Sequence, residues 1–242
     1  MNNKKYVIDK ILNTDVSEEP WKHLVIEDFL PDSLFNGIKK ECSVFLKHAN
    51  FKPNDKFDDT GLEARGYALN VNKSQKIWPV KNTNLDEYYT ILSDIDVEKT
   101  IKSKVNLKKY HSPNLSVDMW SSFDVQLPGF VYDDIHTDHP SKIHTLIHYL
   151  ADEDDDLELG TTLYSPDKEG KKMSVTKDFI KRVNFKPNTA VLFSPCTKKG
   201  FLTNHCMFHL SKKTFFRKSI QTFWLKNKEN WKNVLKTAKK LN

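Results

Sequence analysis

Eight short runs rich in β-forming residues follow one another in the second half of the sequence, and they constrain the fold more than any other feature. They are SVDMWSSFDVQL, GFVYDDIH, IHTLIHYL, GTTLY, RVNF, TAVLF, FLTNHCMF and SIQTFWL. Turn-forming segments such as LPG, DHPS and KPN separate them. No helical pattern long enough for a βαβ crossover lies between them, which argues against a doubly wound parallel sheet. The pattern predicts an antiparallel sandwich or a jelly roll.

The first half of the sequence has mainly helical periodicity. After Pro31 and Asp32, which are typical of a helix start, apolar residues recur at helical spacing from Leu34 to Leu46. A second helical stretch is predicted over 84–105. The segment between these stretches lacks clear periodicity, so we expect a long ordered loop or two short strands there.

Together these patterns predict a single α+β domain over residues 1–242. We expect mainly helical support over 1–115, a jelly-roll core over 116–226 and a basic C-terminal helix over 227–242. The chain shows no internal repeat and no Gly/Ser linker that would mark a second domain. Its 242 residues are enough to bury a substantial core.

The composition of the sequence indicates the cellular compartment in which the protein works. The N-terminus lacks the apolar run of a secretory signal, and no window approaches the roughly 20 apolar residues of a membrane span. The three cysteines are odd in number and have no CxxC spacing, which fits a reducing compartment. We therefore expect a cytoplasmic protein with no membrane partner. The net charge of +6 comes partly from the lysine-rich end of the chain.

A histidine-rich segment, IHTDHPSKIHTLIHYL, contains the best candidates for metal ligands. His136 and Asp138 are two residues apart, so on an extended chain their side chains leave the same face. A third ligand must come from another strand, and His205 in FLTNHCMF can supply it. Two imidazoles and one carboxylate on one face of a metal leave other positions open, which suits ferrous iron.

A candidate anion site follows the candidate metal ligands in the chain. Arg217 and Ser219 share one face of the strand predicted in RKSIQTFWL. A guanidinium binds a carboxylate through two hydrogen bonds, and a hydroxyl two residues on can add a third. A buried arginine also needs an anion, since an unpaired buried guanidinium is very costly.

The order of these motifs resembles that of the 2-oxoglutarate- and Fe(II)-dependent oxygenases, particularly their prolyl-hydroxylase-like branch. The resemblance covers about residues 120–226 and rests on HTD, KIHTLIHYL, GTTLY, KPNTAVLF, NHCM and RKSIQTFW. A weaker likeness lies upstream, in HLVIEDFLPDSL. The resemblance implies a double-stranded β-helix core of the cupin-like, jelly-roll type.

The same resemblance implies a function and a set of site residues. Iron is expected at His136, Asp138 and His205, and the outer carboxylate of 2-oxoglutarate at Arg217, Tyr149 and Ser219. The implied cofactors are Fe(II), 2-oxoglutarate as cosubstrate, and ascorbate. The implied reaction is hydroxylation of a C–H bond in a small-molecule or peptidyl substrate, with release of succinate and CO2.

Several alternatives remain open at this stage. His209 lies closer to Arg217 than His205 does and is the alternative third ligand, although NHCM matches the family pattern better. A zinc site formed by Cys196, His205, Cys206 and His209 lacks the tight paired spacing of structural zinc sites. His139, His144 and His148 are interpreted as polar or packing residues, with a possible supporting role only for His148.

The alternative function is that of a non-catalytic jelly-roll binding protein, which contacts an anionic partner through its basic tail. Nucleic acid is not expected as that partner, because basic residues interleaved with aromatics across one face are not seen. All three ligand types and the arginine are present, which favours the enzyme.

Overall fold

A computed structural model describes residues 2–48, 65–70, 83–107, 114–126, 134–206 and 217–226 of the chain. These residues form four α-helices, two short 3-10 turns and nine strands. The helices are α1 (Asn3–Asn13), α2 (Asp32–His48), α3 (Thr83–Leu92) and α4 (Ile95–Val105). The 3-10 turns are Leu157–Leu159 and Gly170–Lys172.

The strands form two antiparallel sheets. The strands are β1 (His23–Ile26), β2 (Arg65–Asn70), β3 (Asp118–Gln126), β4 (Lys142–Tyr149), β5 (Thr161–Tyr164), β6 (Phe179–Val183), β7 (Ala190–Phe193), β8 (His205–Cys206) and β9 (Arg217–Leu225). Six of them form a sheet in the order β1-β7-β4-β9-β3-β2, and the other three form a sheet in the order β6-β5-β8. The predicted mixture of helices with an antiparallel sheet core is confirmed.

The helices cover one face of the six-stranded sheet. Leu146 on β4 and Trp224 on β9 are buried in one cluster with apolar residues from all four helices. α2 begins at Asp32, directly after Pro31, as the sequence predicts. The helical residues Leu34 and Ile38 are buried in this cluster. The periodicity of the first half therefore identified a true core face.

The predicted helical stretch over 84–105 is two helices in the structure. α3 ends at Leu92 and α4 begins at Ile95. Between them, the Asp94 side chain accepts a hydrogen bond from the Asp96 backbone N–H at 2.9 Å and caps the start of α4. This cap satisfies an N–H group that the helix itself leaves without a partner.

The opposite, inner face of the six-stranded sheet packs against the three-stranded sheet. Ile147 on β4 and Phe193 on β7 share a buried cluster with Leu163 on β5 and Val183 on β6. The core therefore has two apolar layers, one between sheet and helices and one between the two sheets. Side chains that alternate along β4 reach one layer or the other.

Other predicted elements differ from the structure or lie outside its described parts. The run RVNF was predicted as a strand, whereas β6 begins earlier, at Phe179, and ends at Val183. α1 was not predicted as a separate element. The basic helix over 227–242 lies outside the described residues, as does most of the run GFVYDDIH. Within the described parts of the chain, no helix has the length and apolar character that crossing a membrane requires.

His148 lies on the helix face of β4, as the alternation of the strand predicts. Its ring stacks on Tyr88 with 5.8 Å between ring centroids, and Phe29 and Phe35 contact it from other sides. Its Nε2 lies 3.2 Å from Oδ1 of Asn188. Burial lowers the pKa of His148 from 6.5 to about 4, despite this hydrogen bond.

We expect His148→Phe to make the protein less sensitive to mild acid. In the wild type, unfolding between pH 6.5 and pH 4 takes up a proton at His148, so stability is complete above this window and falls within it. The loss of unfolding free energy between about pH 7.5 and pH 5 should be roughly 2 kcal/mol smaller in the variant. Urea denaturation at both pH values measures it. The exposed His139→Gln is the control, and an unchanged pH dependence in His148→Phe would show this assignment to be wrong.

Candidate metal centre

A backbone bridge joins the two histidines that were predicted as metal ligands. The His136 N–H donates to the His205 carbonyl at 3.1 Å, and the His205 N–H donates to the His136 carbonyl at 2.9 Å. Next to this bridge, Thr137 Oγ1 donates to Asn204 Oδ1 at 3.0 Å. Directly paired residues of an antiparallel bridge point to the same side. The two imidazoles accordingly lie side by side, with 4.6 Å between ring centroids.

Asp138 completes a group of three ligand-type side chains. One ligand atom from each of His136, Asp138 and His205 lies within 4.8 Å of the others. The distance from His205 Nε2 to Asp138 Oδ2 is 4.0 Å. Asp138 and His205 are buried, and His136 is partly exposed. One ion can therefore be reached by all three side chains after small adjustments.

Both imidazoles have the same ring nitrogen engaged by the backbone. His136 Nδ1 lies 3.0 Å from the Asp134 carbonyl oxygen, and His205 Nδ1 lies 2.9 Å from the Thr203 carbonyl oxygen. A carbonyl only accepts, so each Nδ1 must carry the proton and donate it. In the neutral rings, Nε2 then keeps the lone pair that a metal needs. Phe193 packs against the His205 ring and helps to fix its plane.

The protonation states also favour a cation. Burial by itself raises the pKa of Asp138, but Lys142, His205 and hydrogen bonds from Lys142 and Thr145 outweigh it and hold that pKa well below 3.8. Burial, reinforced by the neighbouring His136, lowers the pKa of His205 to about 4. At neutral pH the site thus contains an ionised carboxylate beside a neutral His205 imidazole.

Arg217 lies fully buried at the start of β9. Its Nε donates to the Leu159 carbonyl at 2.5 Å, and its Nη1 donates to Ser219 Oγ at 3.2 Å. Its Nη2 has no hydrogen-bond partner among the residues that the structure describes. Burial lowers the pKa of Arg217, with Tyr149 acting in the opposite direction. The Arg217 guanidinium thus has one nitrogen, Nη2, left to donate to an anion.

Tyr149 lies beside this arginine, and its hydroxyl is held by β5. The hydroxyl donates to Thr161 Oγ1 at 2.7 Å and accepts from the Thr161 N–H at 2.9 Å. The Arg217 guanidinium carbon is 5.4 Å from the centre of the Tyr149 ring. Burial raises the pKa of Tyr149, so the phenol stays protonated. The structure thus brings together Tyr149, Arg217 and Ser219. Their contact with the outer carboxylate of 2-oxoglutarate stays a prediction.

The inner face of β4 connects the arginine to the metal ligands. Thr145, Ile147 and Tyr149 alternate onto this face. Thr145 Oγ1 donates to Asp138 Oδ2 at 2.7 Å, whereas Tyr149 lies against Arg217. Four residues of strand span about 13 Å. The candidate metal ligands and Arg217 therefore contact opposite ends of the inner face of β4.

Some contacts at the site had no clear signal in the sequence. Lys142 donates a hydrogen bond to Asp138 Oδ1, and nothing in the sequence distinguished this lysine. Gln126 on β3 pairs directly with Arg217, and its Oε1 lacks a partner within the described parts of the chain. Which residues lie opposite each other on adjacent strands can be identified only when the register of the strands is known.

The described residues include some, but not all, of the alternative metal ligands that the sequence offers. His209 lies outside the described residues, so the choice of His205 over His209 as the third ligand stays a prediction. The potential metal-ligating group found in the described residues consists of His136, Asp138 and His205, without Cys196 or Cys206. His144 faces the helix side of β4, where its Nδ1 lies 2.7 Å from Ser194 Oγ.

Comparisons with known proteins give the fold. No protein-family model matches the chain, and no curated protein matches it by sequence. A prolyl 4-hydroxylase from Phytophthora capsici superposes with a TM-score of 0.56 at 14% identity, covering 95% of this chain and 68% of that chain. A Pseudomonas putida prolyl-4-hydroxylase superposes with a TM-score of 0.53 at 14% identity, covering 93% and 100%.

The chain therefore has the fold of these prolyl 4-hydroxylases over most of its length. Its structural neighbours are members of the 2-oxoglutarate- and Fe(II)-dependent oxygenase superfamily, and the predicted resemblance is confirmed at the level of the fold. At 14% sequence identity these similarities show the fold alone, and the chemistry of the chain depends on its own residues.

We expect His136→Ala and His205→Ala each to abolish binding of a divalent metal. Each variant removes one imidazole from the group of three, and the remaining two ligands hold an ion weakly. Calorimetric titration of the metal-free protein with Co(II) measures this.

His139→Ala is the matched control, because His139 is exposed and its ring contacts Ser141 instead. His209→Ala tests the alternative third ligand and should bind Co(II) like the wild type. Loss of Co(II) binding in His209→Ala, with binding retained in His205→Ala, would reverse the assignment.

Proposed function

We propose that the protein is a 2-oxoglutarate- and Fe(II)-dependent dioxygenase that hydroxylates a C–H bond of a peptidyl or small-molecule substrate. We further propose that its two sheets form a double-stranded β-helix. One observation carries the proposal. The His136, Asp138 and His205 group and the buried Arg217 lie at two ends of one strand face, between the two sheets.

The three side chains fit Fe(II). Two imidazole nitrogens and one carboxylate oxygen are the donor set of ferrous oxygenase sites, which leave further positions open. The Nδ1 contacts to backbone carbonyls supply the outer hydrogen bonds that orient such ligands. A structural zinc site would be closed by four protein ligands, and three are grouped in the described residues.

The far end of the site fits a carboxylate. Arg217 Nη2 is a buried donor that lacks a partner in the described chain, and leaving such a donor unsatisfied costs about 1–3 kcal/mol. A bound carboxylate would accept from Nη2 and neutralise the buried charge. Ser219 Oγ accepts a hydrogen bond from Nη1 and so fixes the orientation of the guanidinium plane. Tyr149 would donate to the same carboxylate if its hydroxyl turned away from Thr161.

Bound Fe(II) would supply the activation of dioxygen, coupled to oxidative decarboxylation of 2-oxoglutarate. In the overall reaction, R–H, O2 and 2-oxoglutarate give R–OH, succinate and CO2. The chain contributes orientation and exclusion of water rather than a further reactive group. Asp138 and His205 would bind the metal from a buried position. The hydrogen bond from Thr145 restricts rotation of the Asp138 carboxylate.

The substrate class is proposed from the fold and from the open side of the site. His136 is the partly exposed member of the three, so we infer that substrate approaches from its side. Because the chain shares its fold with prolyl 4-hydroxylases, proline-containing peptides are the first substrates to test. Hydroxylation is the proposed outcome.

A succinate assay tests the proposed function. Metal-free protein is loaded with Fe(II) without oxygen, mixed with 2-oxoglutarate, ascorbate and a proline-containing peptide library, and then exposed to oxygen. We expect succinate to form in the wild type and not in His205→Ala. If Fe(II) binds but no succinate forms with or without peptides, the protein is better described as a non-catalytic binding protein.

We expect Arg217→Met to lose the preference for a ligand with a distal carboxylate. The metal-loaded wild type should bind 2-oxoglutarate roughly 10- to 100-fold more tightly than 2-oxopentanoate, which lacks that carboxylate, because hydrogen bonds to charged groups contribute about 1.5–3 kcal/mol. In Arg217→Met the two acids should bind with similar affinity. Calorimetry with both acids measures the ratio, which a general loss of stability would not change.

Lys218→Met is the matched control. Lys218 is the next residue on β9, but it pairs with Asp152, away from Arg217. It should keep the wild-type preference. If Arg217→Met also keeps that preference while remaining folded, Arg217 is a structural residue.

A further inference from the structure

An irregularity at the start of β4 turns one lysine toward the candidate metal centre. In the ladder with β9, Lys142 pairs with Leu225 and His144 pairs with Trp224, so β4 advances by two residues where β9 advances by one. Such a β-bulge changes the side to which the following or preceding side chains point. Regular alternation would have placed Lys142 on the helix face with His144.

Lys142 instead lies on the inner face of the sheet. Its partner Leu225 is buried in a cluster with Trp120 and Phe223, on the side opposite to the helices. Its Nζ lies 3.5 Å from the centre of the Phe223 ring and donates to Asp138 Oδ1. Only 15% of the Lys142 side chain is exposed, so both contacts are shielded from water. A partly desolvated ammonium over an aromatic ring is a favourable arrangement.

The two oxygens of Asp138 therefore have different neighbours. Oδ1 accepts from Lys142, whereas Oδ2 accepts from Thr145 at 2.7 Å and lies 4.0 Å from His205 Nε2. Oδ2 is the oxygen that faces the group of ligands. Lys142 and a metal ion would therefore occupy different oxygens of the same carboxylate.

We propose that Lys142 is a positioning residue that restricts Asp138 to binding the metal through one oxygen. The inference rests on the proposed function, since it assumes a metal at His136, Asp138 and His205. A six-coordinate ion with three protein ligands keeps three positions, enough for a two-point cosubstrate and dioxygen. If Asp138 bound through both oxygens, one of those positions would be lost.

Removing the lysine should therefore separate metal binding from cosubstrate binding. In Lys142→Met, Oδ1 becomes free to bind the metal, and a positive charge that repels the metal is lost. We expect Co(II) to bind at least as tightly as in the wild type. We expect 2-oxoglutarate to bind the Co(II)-loaded variant roughly 10-fold more weakly, at the low end of effects from outer hydrogen-bond partners of metal ligands.

The experiment uses the full chain, loaded with Co(II), and measures the visible d–d absorption and the affinity for 2-oxoglutarate. The d–d absorption reports the number of ligands on Co(II), so Lys142→Met should alter it before 2-oxoglutarate is added. Lys142→Arg should restore the wild-type spectrum and affinity, because arginine can donate to Oδ1 and stack on Phe223. Lys142→Leu serves as the second variant without a donor if Lys142→Met does not fold.

Lys39→Met is the matched control, since Lys39 is another partly buried lysine that pairs with an aspartate, Asp152, on the helix side of the molecule. It should leave the spectrum and the affinity unchanged. A wild-type spectrum and affinity in Lys142→Met or Lys142→Leu would overturn the inference and leave the proposed function intact. A wild type that binds no Co(II) at all would overturn both.

Discussion

The reciprocal pair of backbone hydrogen bonds between His136 and His205 is the contact on which the rest of the site depends. Four strands, β4 to β7, lie between these residues in the chain, and the bridge brings their side chains to the same side of the backbone. Without it, the His205 imidazole would not be held beside His136 and Asp138. The geometry is set by main-chain atoms, so it requires only that the strands pair in this register.

The interior between the two sheets contains charges that hydrophobic burial alone would not tolerate. Asp138 is nearly inaccessible and is compensated by Lys142 and Thr145. Arg217 is inaccessible and has one nitrogen without a partner among the described residues. A buried ion pair adds little net stability, whereas removing one partner typically costs about 3–5 kcal/mol because it leaves an uncompensated charge. The apolar layer between sheet and helices, by contrast, contributes to stability without any ion.

How much of this could be predicted from the sequence depends on how local the signal is. Alternation along 142–150 correctly separates Thr145 and Tyr149 from His144 and His148, because a strand has a fixed period of two. The position of Lys142 breaks that period through a bulge, which no alternation rule predicts. The division of 84–105 depends on one side chain, Asp94, whose capping role is visible only when the helix start is known.

Contacts across the sheets were less predictable still. The pairing of Gln126 with Arg217, and that of Thr161 with the Tyr149 hydroxyl, requires the register of strands far apart in sequence. The start of the edge strand β6 was missed, although it carries two apolar residues, Phe179 and Ile180, which are exposed in the structure. The ligand group was found because family order supplied the long-range information that the local pattern lacks.

Anomalous scattering from crystals grown with Mn(II), a stable substitute for Fe(II), shows whether the three side chains share one ion. We expect one strong anomalous peak between the two sheets, in contact with Nε2 of His136, Nε2 of His205 and Oδ2 of Asp138. A peak bound elsewhere on the chain, or an empty site with the two imidazoles facing apart, would contradict it.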